Sequence, residues 1–265
     1  MAEMELRGKV AVVTGGAKRI GRSIALRLAQ EGAEVSVNYR SSGAEAEKLV
    51  EEIGALGRKA IAIEGDVAIK SHVDKMMAVV EKEFGRLDIL VNNAGVFFEA
   101  KFEELTEEQW DAAQNTNLKA QFLCSQAAVP MLRRAASTAR EGAASGAGSA
   151  GDADAKKGVS HIVNLASLGG ILAWPAYTHY CVSKAGSIML TRCMARALGP
   201  EILVNAIAPG TIQFPGEAPD EDYIKRVPVH RTGTGEDIAD AVEYLVKANF
   251  VTGQVMVVDG GRELV

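Results

Sequence analysis

Short apolar runs alternate along the chain with stretches in which apolar residues recur every three or four positions. Val10-Ala11-Val12-Val13-Thr14 is a run of mostly β-branched residues, as a strand buried on both faces requires. Residues 20–30 follow with Ile20, Ile24, Leu26 and Leu28 at helical spacing. The same alternation continues to the end. Residues 34–39 read as a strand, and the next stretch as a helix with Leu49, Val50, Ile53 and Leu56 on one face. Then come a strand at 59–67, a helix at 70–84 and a strand at 87–95 that ends in a turn. Residues 106–134 predict a long helix or a broken pair. A strand at 159–167, a helix at 177–199, a strand at 202–210, a helix at 236–247 and a strand at 254–261 complete the pattern.

Strands that alternate with helices imply right-handed crossovers, and so a parallel sheet covered on both faces. The expected fold is α/β, a doubly wound sheet in a single domain, since no second periodic block follows. Two segments interrupt the pattern. Residues 135–158 are small, polar and rich in Gly, Ala and Ser, and read as a flexible surface insertion. Residues 211–235 contain Pro215, Pro219 and Pro228 and follow a strand's C-terminal end, where an α/β enzyme places a substrate lid.

Composition removes several function classes. Lys plus Arg is 29 and Asp plus Glu is 34, a net charge of −5, which argues against a nucleic-acid partner. The apolar share of 48% and charged share of 24% fit a globular chain. Three cysteines without a CxxC and four scattered histidines without HExxH give no disulfide scaffold and no metal site. The acidic start MAEMELRGK has no apolar core of a signal peptide, and no run approaches the ~20 apolar residues that span a bilayer. These features predict a cytoplasmic enzyme with no membrane association.

The 27 glycines are the outlier, and those after the first strand suggest why. In Thr14-Gly15-Gly16-Ala17-Lys18-Arg19-Ile20-Gly21 small residues let the backbone approach a pyrophosphate, and the next helix aims its N-terminal N–H groups at it. An NAD site would carry an acid at the end of strand two to grip the ribose 2′-hydroxyl. Here that strand ends Val37-Asn38-Tyr39-Arg40-Ser41-Ser42. A guanidinium beside hydroxyls suits a 2′-phosphate, and Lys18 and Arg19 add charge nearby, so the expected cofactor is NADP(H). Asp66, at the end of strand three, is placed to accept from an adenine amino group.

Tyr180 and Lys184 lie four apart on a helix, hence on one face. An ammonium there is expected to lower the phenol's pKa towards working pH, making Tyr180 a proton donor to a carbonyl oxygen as hydride arrives at carbon. Ser167, at a strand end, can hydrogen-bond the same oxygen. Asn93 and Gly95 close the preceding strand at the same edge, and Asn117 on a long helix can hold a relay water. Each residue alone is an ordinary cap or turn; their placement at successive strand ends is what points to a site.

These motifs resemble the short-chain dehydrogenase/reductase family: TGGAKRIG at 14–21, DV at 66–67, NNAG at 92–95, Asn117, Ser167 with YCVSK, PG at 209–210 and VTGQVMVVDGG at 251–261. The resemblance covers nearly the whole chain. It implies a Rossmann fold, a nicotinamide cofactor delivering its pro-S hydride, and commonly a homotetramer. It places Ser167, Tyr180, Lys184 and Asn117 in catalysis. It adds Ile20, Val67, Pro209 and Gly210 to the cofactor site, and has Lys184 also bond the nicotinamide ribose. One departure is Arg19, where TGxxxGxG has glycine; TGxxxRxG resembles the pteridine reductases. Phe97 matches the aromatic that sandwiches a pterin in those enzymes, and the phrases KRVPVHR and VTGQVMVVDGGREL are similar too. They carry Asp where this chain has Ser167, which suits a ring nitrogen where serine suits a carbonyl. The β-ketoacyl–carrier-protein reductases share Asn-Tyr after strand two, the Ser–Tyr–Lys set and NADPH. The leading expectation is therefore an NADPH-dependent carbonyl reductase, with a pteridine or dihydropterin reductase as the alternative. A non-catalytic dinucleotide sensor ranks last, because Tyr180 and Lys184 are both present. Phe97, Trp174 and Tyr177, with the 211–235 segment, are expected to shape the substrate pocket.

Overall fold

The computed structural model describes residues 6–145 and 158–265, the side chains of 139–145 excepted. Seven strands form one parallel sheet: β1 (Val10–Val13), β2 (Glu34–Tyr39), β3 (Ala60–Glu64), β4 (Ile89–Asn92), β5 (Ser160–Leu165), β6 (Ile202–Pro209) and β7 (Val255–Val258). Their order is β3-β2-β1-β4-β5-β6-β7. The sheet grows outward from β1 in one direction and from β4 in the other, so a crevice opens where the two halves diverge, beyond the strands' carboxyl ends.

The period-two alternation of the strands feeds two cores. Ala11 and Val13 face one side, where α1 (Arg19–Gln30), α2 (Gly43–Ala55) and α8 (Gly235–Lys247) pack Ile24, Leu28, Leu49, Ile53, Val242 and Leu245 against the sheet. Val10 and Val12 face the other, against Met76 and Val80 of α3 (Lys70–Phe84), Leu132 of α5 (Ala120–Ser145) and Ala195 of α6 (Thr178–Leu198). Leu56, expected on the buried face of α2, instead caps its C-terminus and is exposed.

Residues 106–134 are neither a plain helix nor a broken pair. α4 (Glu107–Ala113) starts at a capping box between Thr106 and Gln109, worth about 1 kcal/mol. It runs through a π-helical turn, Gln114–Lys119, straight into α5. Wide turns of this kind concentrate at functional sites, and this one carries Asn117. α5 also reaches further than expected. Residues 135–145 are helical, and Ala135 and Ala136 are buried, because the first residues of the Ala-rich stretch still find apolar neighbours. The rest of the expected insertion, 146–157, lies outside the described residues. The 211–235 segment contains a short helix that periodicity did not reveal, α7 (Glu221–Arg226).

Candidate active site

The crevice is about 730 Å³, within the usual range for small-molecule sites. It runs from the turn after β1, past the ends of β2 and β3, to the start of α6. The turn after β1 is braced from both sides. Thr14 Oγ1 accepts from the N–H groups of Asn93 (3.0 Å) and Ala94 (3.1 Å), and Asn93 Nδ2 donates to the carbonyls of Thr14 (2.9 Å) and Gly15 (3.0 Å). On the other flank Asn38 Oδ1 accepts from Gly15 N, while its Nδ2 donates to the carbonyls of Ile63 and Gly65. Gly21 has no room for a side chain: a Cβ would stand 2.4 Å from the Gly15 carbonyl oxygen.

α1 begins at Lys18 with no side-chain cap and no acid in its first turn. Its leading N–H groups are thus left to an anion in the crevice. Arg19 occupies the left-handed region, φ 53°, which explains why glycine suits this position in related motifs. Holding an arginine there costs roughly 1–2 kcal/mol. All three cations of the cradle have carboxylate partners: Lys18 with Glu45 (2.7 Å), Arg19 with Glu217 (2.6 Å) and Arg40 with Asp66 (3.7 Å). The last is beyond hydrogen-bond distance, and the Arg40 side chain is 62% exposed, so its guanidinium can turn to a phosphate at little cost. Asp66 also caps the next turn, accepting from Ala68 N at 2.9 Å. No carboxylate follows β2, and Arg40, Ser41 and Ser42 line the crevice there. The residues present therefore fit a dinucleotide that carries a 2′-phosphate.

At the other end stand Ser167, Tyr180 and Lys184. Ser167 ends the turn after β5; its hydroxyl accepts from Gly169 N (3.1 Å) and shares a hydrogen bond with the Tyr180 phenol. Lys184 Nζ lies 5.6 Å from the Tyr180 ring centroid and donates to the Leu165 carbonyl at 2.7 Å. An ammonium has three donors, so two remain for the crevice. The spacing thus assembles the trio, but it does not acidify the phenol as expected. Burial pushes Tyr180 up to about 12, with the Ser167 hydrogen bond acting the other way, and pushes Lys184 down to about 8. Desolvation disfavours the charged form of each. Burial therefore favours the protonated phenol, the form that has a proton to give.

Asn117 also differs from expectation. Its Oδ1 accepts from Val96 N (2.7 Å), and its two N–H bonds go to the Val96 carbonyl and Ser183 Oγ, both at 3.0 Å. Both side-chain donors are taken, so the amide fixes the Gly95–Phe97 strip against α6 rather than holding a water through them.

Phe97 and Trp174 line the crevice beside Tyr180, Phe97 edge-on at 4.8 Å and Trp174 stacked at 6.2 Å. Tyr177, expected against substrate, stands behind Phe97, stacked at 4.7 Å with its ring parallel within 1°. It acts through Phe97. The other predicted cofactor residues, Ile20, Val67, Gly95, Pro209 and Gly210, line the crevice. Gly210 is there because a Cβ would come within 2.7 Å of the Tyr223 hydroxyl. Sequence reading missed Thr14, Asn38, Ser183 and Tyr223, which hold the site by hydrogen bonds. Thr14, Asn38 and Ser183 stood inside quoted motifs without a role, and Tyr223 had no signal beyond its place in the 211–235 segment. Sequence reading also missed Phe214 and Arg262 on the crevice wall.

A family model described as short chain dehydrogenase matches residues 9–222, and the chain belongs to that family. The 3-oxoacyl-[acyl-carrier-protein] reductase FabG of Staphylococcus aureus is 40% identical over 261 residues, 96% of this chain and 97% of that protein. Among solved structures, a short chain dehydrogenase from Burkholderia cenocepacia in complex with NADP is 34% identical, covering 97% of this chain and 98% of that one with a TM-score of 0.82. A 7 alpha-hydroxysteroid dehydrogenase complexed with NADH and 7-oxo glycochenodeoxycholic acid is 29% identical at TM-score 0.85, covering 98% of this chain and 96% of that one. Related folds are thus seen with NADP in one solved structure and with NADH in another.

Proposed function

We propose that the protein is an NADPH-dependent reductase of carbonyl compounds, acting on 3-oxoacyl thioesters or simple ketones. The observation that carries this reading is one crevice with Ser167, Tyr180 and Lys184 at one end and Arg40, without a competing acid after β2, at the other. Gly15, Ile20 and Gly21 shape the pyrophosphate cradle with Lys18. Arg40 and Ser41 take the 2′-phosphate, and Asp66 and Val67 border the adenine. Asn93, Gly95, Pro209 and Gly210 border the nicotinamide half. NADPH, when bound, supplies the hydride that reduces the carbonyl carbon. Ser167 and Tyr180 hold the carbonyl oxygen by hydrogen bonds, and the Tyr180 O–H gives that oxygen its proton as negative charge develops on it. The Lys184 ammonium stands within reach of the phenolate left behind and lowers the cost of forming it.

A second reading, reduction of a pterin ring, draws on Phe97, which is 59% exposed in the crevice with one face backed by Tyr177. Ser167 favours the carbonyl reading, since a hydroxyl of ordinary acidity protonates a ring nitrogen poorly. NADPH oxidation against acetoacetyl thioester, simple diketones, dihydrobiopterin and dihydrofolate separates the two. Turnover of the pterins alone would sink the first reading.

The same proposal includes a homotetramer. Phe122, Val182 and Met189 on α5 and α6, and Phe250, Leu264 and Val265 near the C-terminus, are exposed large apolar residues that a second copy would cover. Light scattering on the purified protein gives the mass. The three free cysteines fit a reducing compartment, the cytoplasm. Among the described residues no helix is long and apolar enough to cross a membrane.

A further inference from the structure

The 211–235 segment is fixed at three points. Ile212 bridges Gly233, Gln213 N donates to the Gly233 carbonyl (2.9 Å), and Thr232 Oγ1 donates to Gln213 Oε1 (2.8 Å). The buried Tyr223 hydroxyl accepts from Thr211 N and donates to the Asp259 carbonyl, both at 3.2 Å, tying α7 to the ends of β6 and β7. Arg231 grips both carboxylate oxygens of Asp237 at 2.7 Å. Between these anchors, residues 214–219 form a turn whose bonds are local. Phe214 N donates to Glu217 Oε2 (3.0 Å), Glu217 N to the Phe214 carbonyl (3.1 Å) and Gln213 Nε2 to the Glu217 carbonyl (2.9 Å).

One side chain reaches this turn from across the crevice. Arg19, on the cradle wall, donates from Nη1 to Glu217 Oε1 at 2.6 Å and lays its guanidinium over the Phe214 ring at 4.1 Å. Arg19 and Phe214 both line the crevice, so the contact spans it at the pyrophosphate end. We propose that Arg19, Phe214 and Glu217 form a latch that closes the 214–217 turn over the bound dinucleotide, and that Arg19 is a positioning residue acting through this turn rather than a phosphate ligand. This rests on the reading of the crevice as an NADPH site.

The two roles for Arg19 predict opposite signs for a change on the other side of the latch. If Arg19 is a phosphate ligand, Glu217 competes with the phosphate, and Glu217→Gln slows NADPH release. If Arg19 is a latch, Glu217→Gln opens the turn and speeds release. Stopped-flow dissociation of NADPH from the full-length enzyme is the test, with Arg19→Gly, Glu217→Gln, Phe214→Leu and the Arg19→Gly/Glu217→Gln pair. Arg19→Gly suits a backbone at φ 53°, and the lid-side changes are on the surface of a turn, so the fold is kept. The latch gives about three- to tenfold faster dissociation in each single variant, as an ion pair with a cation–π contact allows. The pair is then no faster than the faster single. Without any cofactor, amide exchange at Phe214, Gly216 and Glu217 also quickens in Arg19→Gly and Glu217→Gln. Slower or unchanged dissociation in Glu217→Gln, or unchanged exchange, overturns the latch alone. Failure of the unmodified protein to bind NADPH overturns both the latch and the cofactor reading.

Discussion

Arg40→Ala tests the cofactor assignment most directly. A charge-assisted hydrogen bond to a phosphate contributes about 1.5–3 kcal/mol. Against this stands the Arg40–Asp66 contact that the phosphate replaces. At 3.7 Å and with the guanidinium largely exposed, that contact is worth at most about 1 kcal/mol. The net loss in the variant is then about 0.5–3 kcal/mol, a rise of roughly 2- to 160-fold in the KM for NADPH. NADH has no 2′-phosphate, and its KM should move less than about twofold. The assay is steady-state KM for both cofactors, at low salt and again at ~0.5 M, where screening should shrink the NADPH effect because the charge is exposed. An unchanged ratio of the two KM values in the variant would refute the assignment. So would equal losses for both cofactors, which would mean that Arg40 supports the loop and not the phosphate.

Three further outcomes follow from the same geometry. Tyr180→Phe should lower kcat by about 10²- to 10⁴-fold while NADPH fluorescence still reports binding, and near-normal turnover would remove Tyr180 as the acid. With burial holding Lys184 near 8, carbonyl reduction should decline as pH rises through about 8, because the ammonium is lost there while Tyr180 stays protonated. A limb that persists unmoved in Lys184→Arg would assign it elsewhere. His161, buried on β5 and pushed down to about 4, binds its proton more weakly folded than unfolded. Stability is therefore full above about pH 6.5 and falls by up to about 3 kcal/mol as pH drops towards 4. Urea titrations should show that slope, and His161→Leu should flatten it.

The sheet was legible because its evidence is local and repeated. Each inner strand is a short run buried on both faces, and each facing helix keeps its stripe, as Ile24 and Leu28 do on α1. α7 was not legible, because six residues do not make a stripe and its fixing residue, Tyr223, is held by hydrogen bonds to Thr211 and Asp259 far along the chain. Helix α5 runs past residue 134, where the expected helix ended, for a related reason. An Ala-rich helix and an Ala-rich loop have the same composition, and Ala135 and Ala136 are helical and buried because of what packs against them.

The candidate site divides in the same way, between position and energy. That Tyr180 and Lys184 share a helix face follows from spacing alone. Whether the phenol is made acidic depends on desolvation, and desolvation comes from parts of the chain that spacing does not report. Trp174 lies parallel to the phenol ring and Phe97 closes its edge, and both are brought there by turns after other strands. Lys184 spends one donor on Leu165 at the end of β5 and loses water to the same packing. The result is a neutral acid beside a weakened base. Proton transfer to the developing alkoxide leaves a phenolate in that apolar pocket, and the Lys184 ammonium offsets part of its cost. The ease of that transfer depends on the aromatic wall around Tyr180 as well as on Lys184, in reduction and oxidation alike.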